Sequence, residues 1–180
     1  MKRQIRKNVF ETNSSSTHAI CITKNDINIT DIPTYVTFTS GEFGWEFDVH
    51  NDTWTKASYL YQLINDINYN NEEKRVEYLD KLISALSMYG ITCEFEPVKR
   101  DEWGFTHGYV DHYLGAKEFL DAVLENDNLL LKFLFDNNSK IITGNDNGDT
   151  FFDYMDSHGF VEDGYDYSHP DYEKVFYKGN

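Results

Sequence analysis

DTWTKASYLYQLINDINYNNEEKRVEYLDKLISALSMYG, residues 52–90, sets the architecture, because its apolar side chains recur at helical spacing while the segments on either side alternate. Trp54, Ala57, Tyr61, Ile64 and Ile67 form one stripe, and Asp52 or Thr53 can cap a helix running to about residue 67. Val76, Leu79, Ile83 and Leu86 form a second stripe from about Asn71, with Glu72 and Glu73 in the favourable first turn and Gly90 as the stop. Two amphipathic helices with a short connection predict a helical hairpin. Upstream, HAICIT at 18–23 reads as a strand, and TYVTFTSGEFGWEFDV at 34–49 predicts a β-hairpin about Ser40-Gly41-Glu42. QIRKNVF at 4–10 reads as a further strand, joined to 18–23 by a hydroxyl-rich loop, Glu11 to Thr17. Downstream, ITCEFE at 91–96 alternates as a strand up to Pro97, and Lys99 to His112 is loop-like.

A third helix is expected over 116–125, with Phe119, Leu120, Val123 and Leu124 buried, and a short fourth over 129–135 behind the capping run Asn126-Asp127-Asn128. Residues 139–143 read as a strand, and Asn147-Gly148 signals a two-residue turn into a second strand at Thr150-Phe151-Phe152. No period is evident in the tail from Asp156. The sum is α+β: a mostly antiparallel sheet with a helical hairpin and one or two further helices packed on one face of it. At 180 residues a single domain spanning 1–180 is expected, with an acidic, aromatic-rich C-terminal segment from about residue 146.

The net charge is −15, and it is unevenly spread. Residues 101–180 hold 17 Asp and Glu against 5 Lys, a net of −12, so the C-terminal half repels phosphate and attracts basic surfaces. Direct nucleic-acid binding through that half is therefore not expected. Aromatics make up 16% of the chain, which argues against disorder despite the acidity. Cys21 and Cys93 are the only cysteines, the N-terminus lacks the apolar run of a secretory signal, and no apolar run approaches the roughly 20 residues of a membrane-spanning helix. A cytoplasmic protein with reduced thiols and no membrane role is the expectation. The basic residues Lys2, Arg3, Arg6 and Lys7 suit the flank of an edge strand.

Three groups of residues are candidate sites. Ser14, Ser15, Ser16 and Thr17 stand immediately before His18, a pattern that offers donors to an anion and, in its sharper form, a serine activated by histidine; Asx and ST turns satisfying their own backbone are the plainer alternative. His107, Asp111 and His112 are ligand types for a divalent transition metal, although neither helical nor extended geometry gathers all three, and a solvated loop is the alternative. Asp146, Asp149, Asp153, Asp156, Glu162, Asp163 and Asp166 alternate with aromatics including Tyr165 and Tyr167. Such a mixture suits docking onto a basic protein groove, with tyrosine supplying contact area and carboxylates supplying steering; alternatively the aromatics are core and only the acids face water. Asn145 to Asp149 has the look of a calcium loop, but Thr143 and Tyr154 would then occupy its first and twelfth positions, so a β-turn is expected. No cofactor is expected.

Val9-Phe10-Glu11-Thr12-Asn13-Ser14-Ser15-Ser16-Thr17-His18 resembles the N-terminal signature of a family of small, mostly uncharacterised proteins from phages and mobile elements of Firmicutes. Gly41-Glu42-Phe43-Gly44-Trp45-Glu46, Lys56-Ala57-Ser58-Tyr59-Leu60-Tyr61 and Thr143-Gly144-Asn145-Asp146 are similar to later blocks of that family. The resemblance implies a phage or prophage origin and brings no established activity. By class and charge alone, small acidic phage proteins resemble anti-CRISPR inhibitors, which implies a host partner with a basic surface, such as a Cas nuclease in the bacterial cytosol. The rival expectations are a metal-dependent hydrolase or phosphoryl-transfer enzyme built on the Ser14–His18 loop, and a structural or assembly protein of the phage particle.

Overall fold

The computed structural model describes residues 16–98 and 108–179. Ten strands and five α-helices follow along these residues. They are β1 (Ser16–Thr23), β2 (Tyr35–Phe38), β3 (Glu42–Phe43), β4 (Asp48–His50), α1 (Thr53–Ile67), α2 (Glu72–Ser87), β5 (Thr92–Phe95), β6 (Tyr109–Val110), α3 (Lys117–Glu125), α4 (Asp127–Phe135), β7 (Lys140–Asn145), α5 (Asp149–Ser157), β8 (Val161–Asp163), β9 (Asp166–Ser168) and β10 (Tyr172–Lys178). The architecture is α+β, as the alternation of patterns predicts. The strand expected over 4–10 lies outside the described residues.

The helical hairpin forms where its caps place it. Asp52 accepts a 2.8 Å hydrogen bond from Thr55 N at the start of α1, and Asn71 accepts one of 3.0 Å from Lys74 N at the start of α2. Gly90, at φ +73°, takes the left-handed conformation that ends the second helix. Asn126 caps α4 through Asn128 N and Leu129 N.

A four-stranded antiparallel sheet in the order β10-β1-β7-β4 forms the centre. Every residue of β1 is buried, because both faces of the sheet are covered. Ile20, Ile22 and Ile141 point into a large core shared with α1, α2, α3 and α4. Ala19, Cys21 and Ile142 point the other way, against Phe151 and Met155 of α5 and the aromatics Phe160 and Tyr167. Helices on one face only was the expectation; α5 covers the second.

Two sequence expectations give way here. The hairpin about Ser40-Gly41-Glu42 does not form: β2 pairs in parallel with β5, and β3 in parallel with β6. Alternation identified the strands but not their partners, and the partners are set by the aromatic core. Phe38 stacks on Phe95 at 5.0 Å while Phe43 meets Tyr59 of α1 edge-on at 4.9 Å, so the two strands diverge around the helix. Nor does Asn147-Gly148 join two strands. Asn145 accepts from Asn147 N at 2.8 Å, and the chain then enters α5, whose i,i+4 pair Phe151 and Met155 shares one buried face. A strand there would have put Phe151 on the side of Asp153. The tail without a visible period holds three strands, of which β8 and β9 form a hairpin and β10 joins the main sheet beside β1.

Candidate functional site

Ser16, Thr17 and His18 lie within β1 rather than in a loop, and all three are buried; Ser14 and Ser15 lie outside the described residues. Alternation along the strand sends their polar atoms to different partners. His18 Nε2 sits 3.0 Å from the carbonyl of Gly44, which only accepts, so this nitrogen carries the proton and Nδ1 accepts from the Tyr59 hydroxyl at 3.0 Å. Burial, reinforced by the charge of Lys178, pushes the His18 pKa down to about 3, so the ring is neutral. A histidine whose free lone pair is occupied by a buried tyrosine is not placed to activate a serine. Thr17 Oγ1 donates to the carbonyl of Lys178 at 3.1 Å. Ser16 is held by Lys178 itself, whose ammonium has three hydrogens and three acceptors: Ser16 O at 3.1 Å, Ser16 Oγ at 2.6 Å and Asp111 O at 2.6 Å. Burial lowers the Lys178 pKa to about 8, which leaves it mainly charged at neutral pH. Ser16 and Thr17 thus belong to an internal polar tie between β1, β10 and the turn at 111–112.

Of the proposed metal ligands, His107 lies outside the described residues. His112 Nε2 and Asp111 Oδ1 are 3.8 Å apart, and His112 adopts the left-handed conformation at φ 50°. Among the described residues no three His, Cys, Asp or Glu side chains gather as a metal site. Asp111 contributes to the fold through its backbone, donating to Phe43 O at 2.9 Å and accepting from Lys178.

The acidic segment, by contrast, is largely exposed. Asp149, Asp153 and Asp156 recur at i, i+4 and i+7 on α5, all exposed and opposite the buried Phe151–Met155 face. Glu162, Asp163 and Asp166 are exposed on the β8–β9 hairpin, and Asp146 is half-buried in the turn before α5. From 146 to 173 there are nine Asp and Glu and no Lys or Arg. The hairpin turn has Gly164 at φ +69° followed by Tyr165, the II′ pattern, which places the tyrosine at the tip with 94% of its surface exposed. Tyr167, read as a second anchor, is only 8% exposed and packs on Tyr177 at 4.8 Å, because β9 turns that side chain towards the sheet.

Residues that the sequence did not flag extend this surface. Trp45 and Phe47 are exposed on the connection from β3 to β4, and the Phe47 ring lies 5.5 Å from that of Tyr154 on α5, with Glu46 and Asp48 exposed beside them. The connection was read as part of a hairpin strand, where Trp45 and Phe47, two residues apart, would share one face. The buried lysines were missed as well; only placing Lys178 on the inward side of an alternating YEKVFYK strand would have revealed that one.

No helix among the described residues is long and apolar enough to cross a membrane. Comparison of the chain with protein-family models, with curated proteins and with solved structures finds no match. What the molecule offers is an α+β scaffold whose α5 helix and β8–β9 hairpin expose acids.

Proposed function

We propose that this chain is an inhibitor of phage type that binds the basic, nucleic-acid-handling surface of a host defence nuclease, such as a Cas protein, and competes there with nucleic acid. One observation carries the proposal: α5 and the β8–β9 hairpin expose six carboxylates, and the hairpin tip exposes Tyr165. An acidic face with an aromatic at its tip supplies long-range attraction to Lys and Arg together with a contact that removes apolar area from water. Phosphate backbones approach a nuclease channel through the same electrostatics, so a folded acidic surface competes for the same cations. The metal-dependent hydrolase alternative uses Ser14–His18 to handle an anion and His107, Asp111 and His112 to hold a metal; among the described residues Ser16, Thr17 and His18 are buried in β1 and no three ligand-type side chains gather.

The test is binding and cleavage measured with a panel of RNA-guided nucleases. Inhibition by the wild-type chain is expected, with Asp153→Lys/Asp156→Lys/Asp163→Lys slowing association at least tenfold and Tyr165→Ala speeding dissociation. Absence of any complex across the panel, or a complex indifferent to these changes, would remove the proposal.

A further inference from the structure

At the opposite end of the polar tie, β1 and β4 finish and β7 and β10 begin, and the loops beyond those four strand ends enclose a cavity of about 580 Å³. Its lining departs from the rest of the surface. In a molecule of net charge −15, Lys24 and Lys140 face it together with Asn25, Asn51, Asn137 and Asn138, and Asp171 is its only carboxylate. Neither lysine is ion-paired among the described residues, whereas Lys81, Lys117 and Lys132 each hold an acid. The Asp171 side chain is largely exposed, and its backbone N–H donates to His169 Nδ1 at 3.1 Å.

Lys140 is positioned rather than loose. Its ammonium lies 5.7 Å and 5.9 Å from the ring centres of Tyr172 and Tyr154 and 3.4 Å from the Tyr154 hydroxyl. Burial disfavours its charge, but the tyrosines outweigh burial and the net shift is upward, so it is a fixed cation at physiological pH. The cavity floor is fixed too. Lys56 of α1 donates to Asp136 O at 2.7 Å and Ser139 O at 3.2 Å, and Thr23 N donates to Ser139 Oγ at 3.0 Å, which pins the loop bearing Asn137 and Asn138. Asp136, the acid at the base of that loop, is turned to Asn138 N and Nδ2. The side-chain amides of Asn25, Asn51 and Asn137 have no protein partner among the described residues.

We infer that this cavity is a binding site for a phosphate ester on a hydroxylated body, such as a sugar phosphate or nucleoside monophosphate. The two ammonium groups suit the phosphate, and side-chain amides, which donate and accept, suit hydroxyls. A volume of about 580 Å³ lies in the range of small-molecule pockets. The inference rests on this lining and does not depend on the inhibitor proposal.

Amide chemical shifts of the ¹⁵N-labelled chain, titrated with ribose 5-phosphate and in parallel with inorganic phosphate and ribose, test it. Ribose 5-phosphate is expected to move the signals of Lys24, Asn138 and Lys140 with a saturating Kd of about 1 mM or below, inorganic phosphate to bind more weakly at the same residues, and ribose to leave them in place. Lys24→Gln, at an exposed side chain, should raise that Kd about tenfold or more, and Lys140→Gln should do the same with the far-UV circular dichroism unchanged. Absence of saturable shifts, shifts undiminished in Lys24→Gln, or equal binding of ribose and its phosphate would overturn the assignment.

Discussion

His18 shows how a residue that looks chemical becomes structural once its neighbours are known. The neutral ring bridges Gly44 O and the Tyr59 hydroxyl, so protonation would place a charge in a dry site and remove the lone pair that Tyr59 uses. In the unfolded chain the imidazole takes a proton below its ordinary value of 6.5, while the folded one stays neutral down to about 3. The unfolded state therefore binds more protons in that window. Stability attributable to His18 is full above pH 6.5 and falls by up to about 1.4 kcal/mol per pH unit below it. In urea unfolding, His18→Gln should be less stable than wild type at pH 7.5, and the gap should narrow steadily towards pH 4.5. A gap constant over that range would show that the ring is not the titrating group. Little of this was legible in the sequence. Adjacent hydroxyls beside a histidine have the same spelling in a loop and in a fully buried strand, and only the partners Lys178 and Tyr59, distant along the chain, distinguish the two.

At the scale of elements, what could be read was what local periodicity controls. The positions of α1, α2, α3 and α4 follow from apolar spacing and caps, and β1, β5 and β7 follow from alternation. The stripes named for the hairpin do not all face inward, however: Trp54, Val76 and Ile83 are exposed, and α2 buries Tyr78, Leu82, Ala85 and Leu86. Partner choice could not be read. Strands β2 and β3 sit either side of a plausible turn, yet each finds a parallel partner reached only through the helices that separate them in sequence. Helix α5 is the other miss, since a turn signal and three β-compatible residues outweighed a weak amphipathic pattern. Its seat on the sheet depends on close approach: a Cβ added at Gly144 would meet Phe151 Cβ at 2.7 Å and Cδ2 at 2.9 Å. Backbone of β7 and the first turn of α5 would both have to move. Gly144→Ala should therefore destabilise by about 1–3 kcal/mol through overpacking, lowering the melting temperature by about 5 °C. Because Asp149, Asp153 and Asp156 ride on α5, the same variant should also weaken binding to the proposed basic partner more than its loss of stability implies. An unchanged melting temperature would mean that α5 does not seat on β7 as described.

At the scale of the whole molecule, charge and fold pull in opposite directions. The α5–β8–β9 region concentrates acids with no Lys or Arg between positions 146 and 173, while its interior is a compact cluster of Phe151, Met155, Phe160 and Tyr167. Mutual repulsion on such a face costs stability, and surface charges separated by a Debye length, about 10 Å at 0.1 M salt, are screened as ionic strength rises. A surface shaped for stability alone would intersperse lysines; one shaped for a cationic partner would not. Neutralising Asp153→Asn/Asp156→Asn/Asp163→Asn should consequently raise the melting temperature at 20 mM salt and lose most of that gain at 0.5 M. The same triple variant should bind a basic partner more weakly, with the deficit also shrinking as salt rises. Opposite signs for stability and binding, both screened by salt, are expected of a docking face and not of an inert solvated one. A triple variant that leaves the low-salt melting temperature unchanged would show that these carboxylates do not repel one another enough to matter. The electrostatic argument for a cationic partner would then rest on net charge alone.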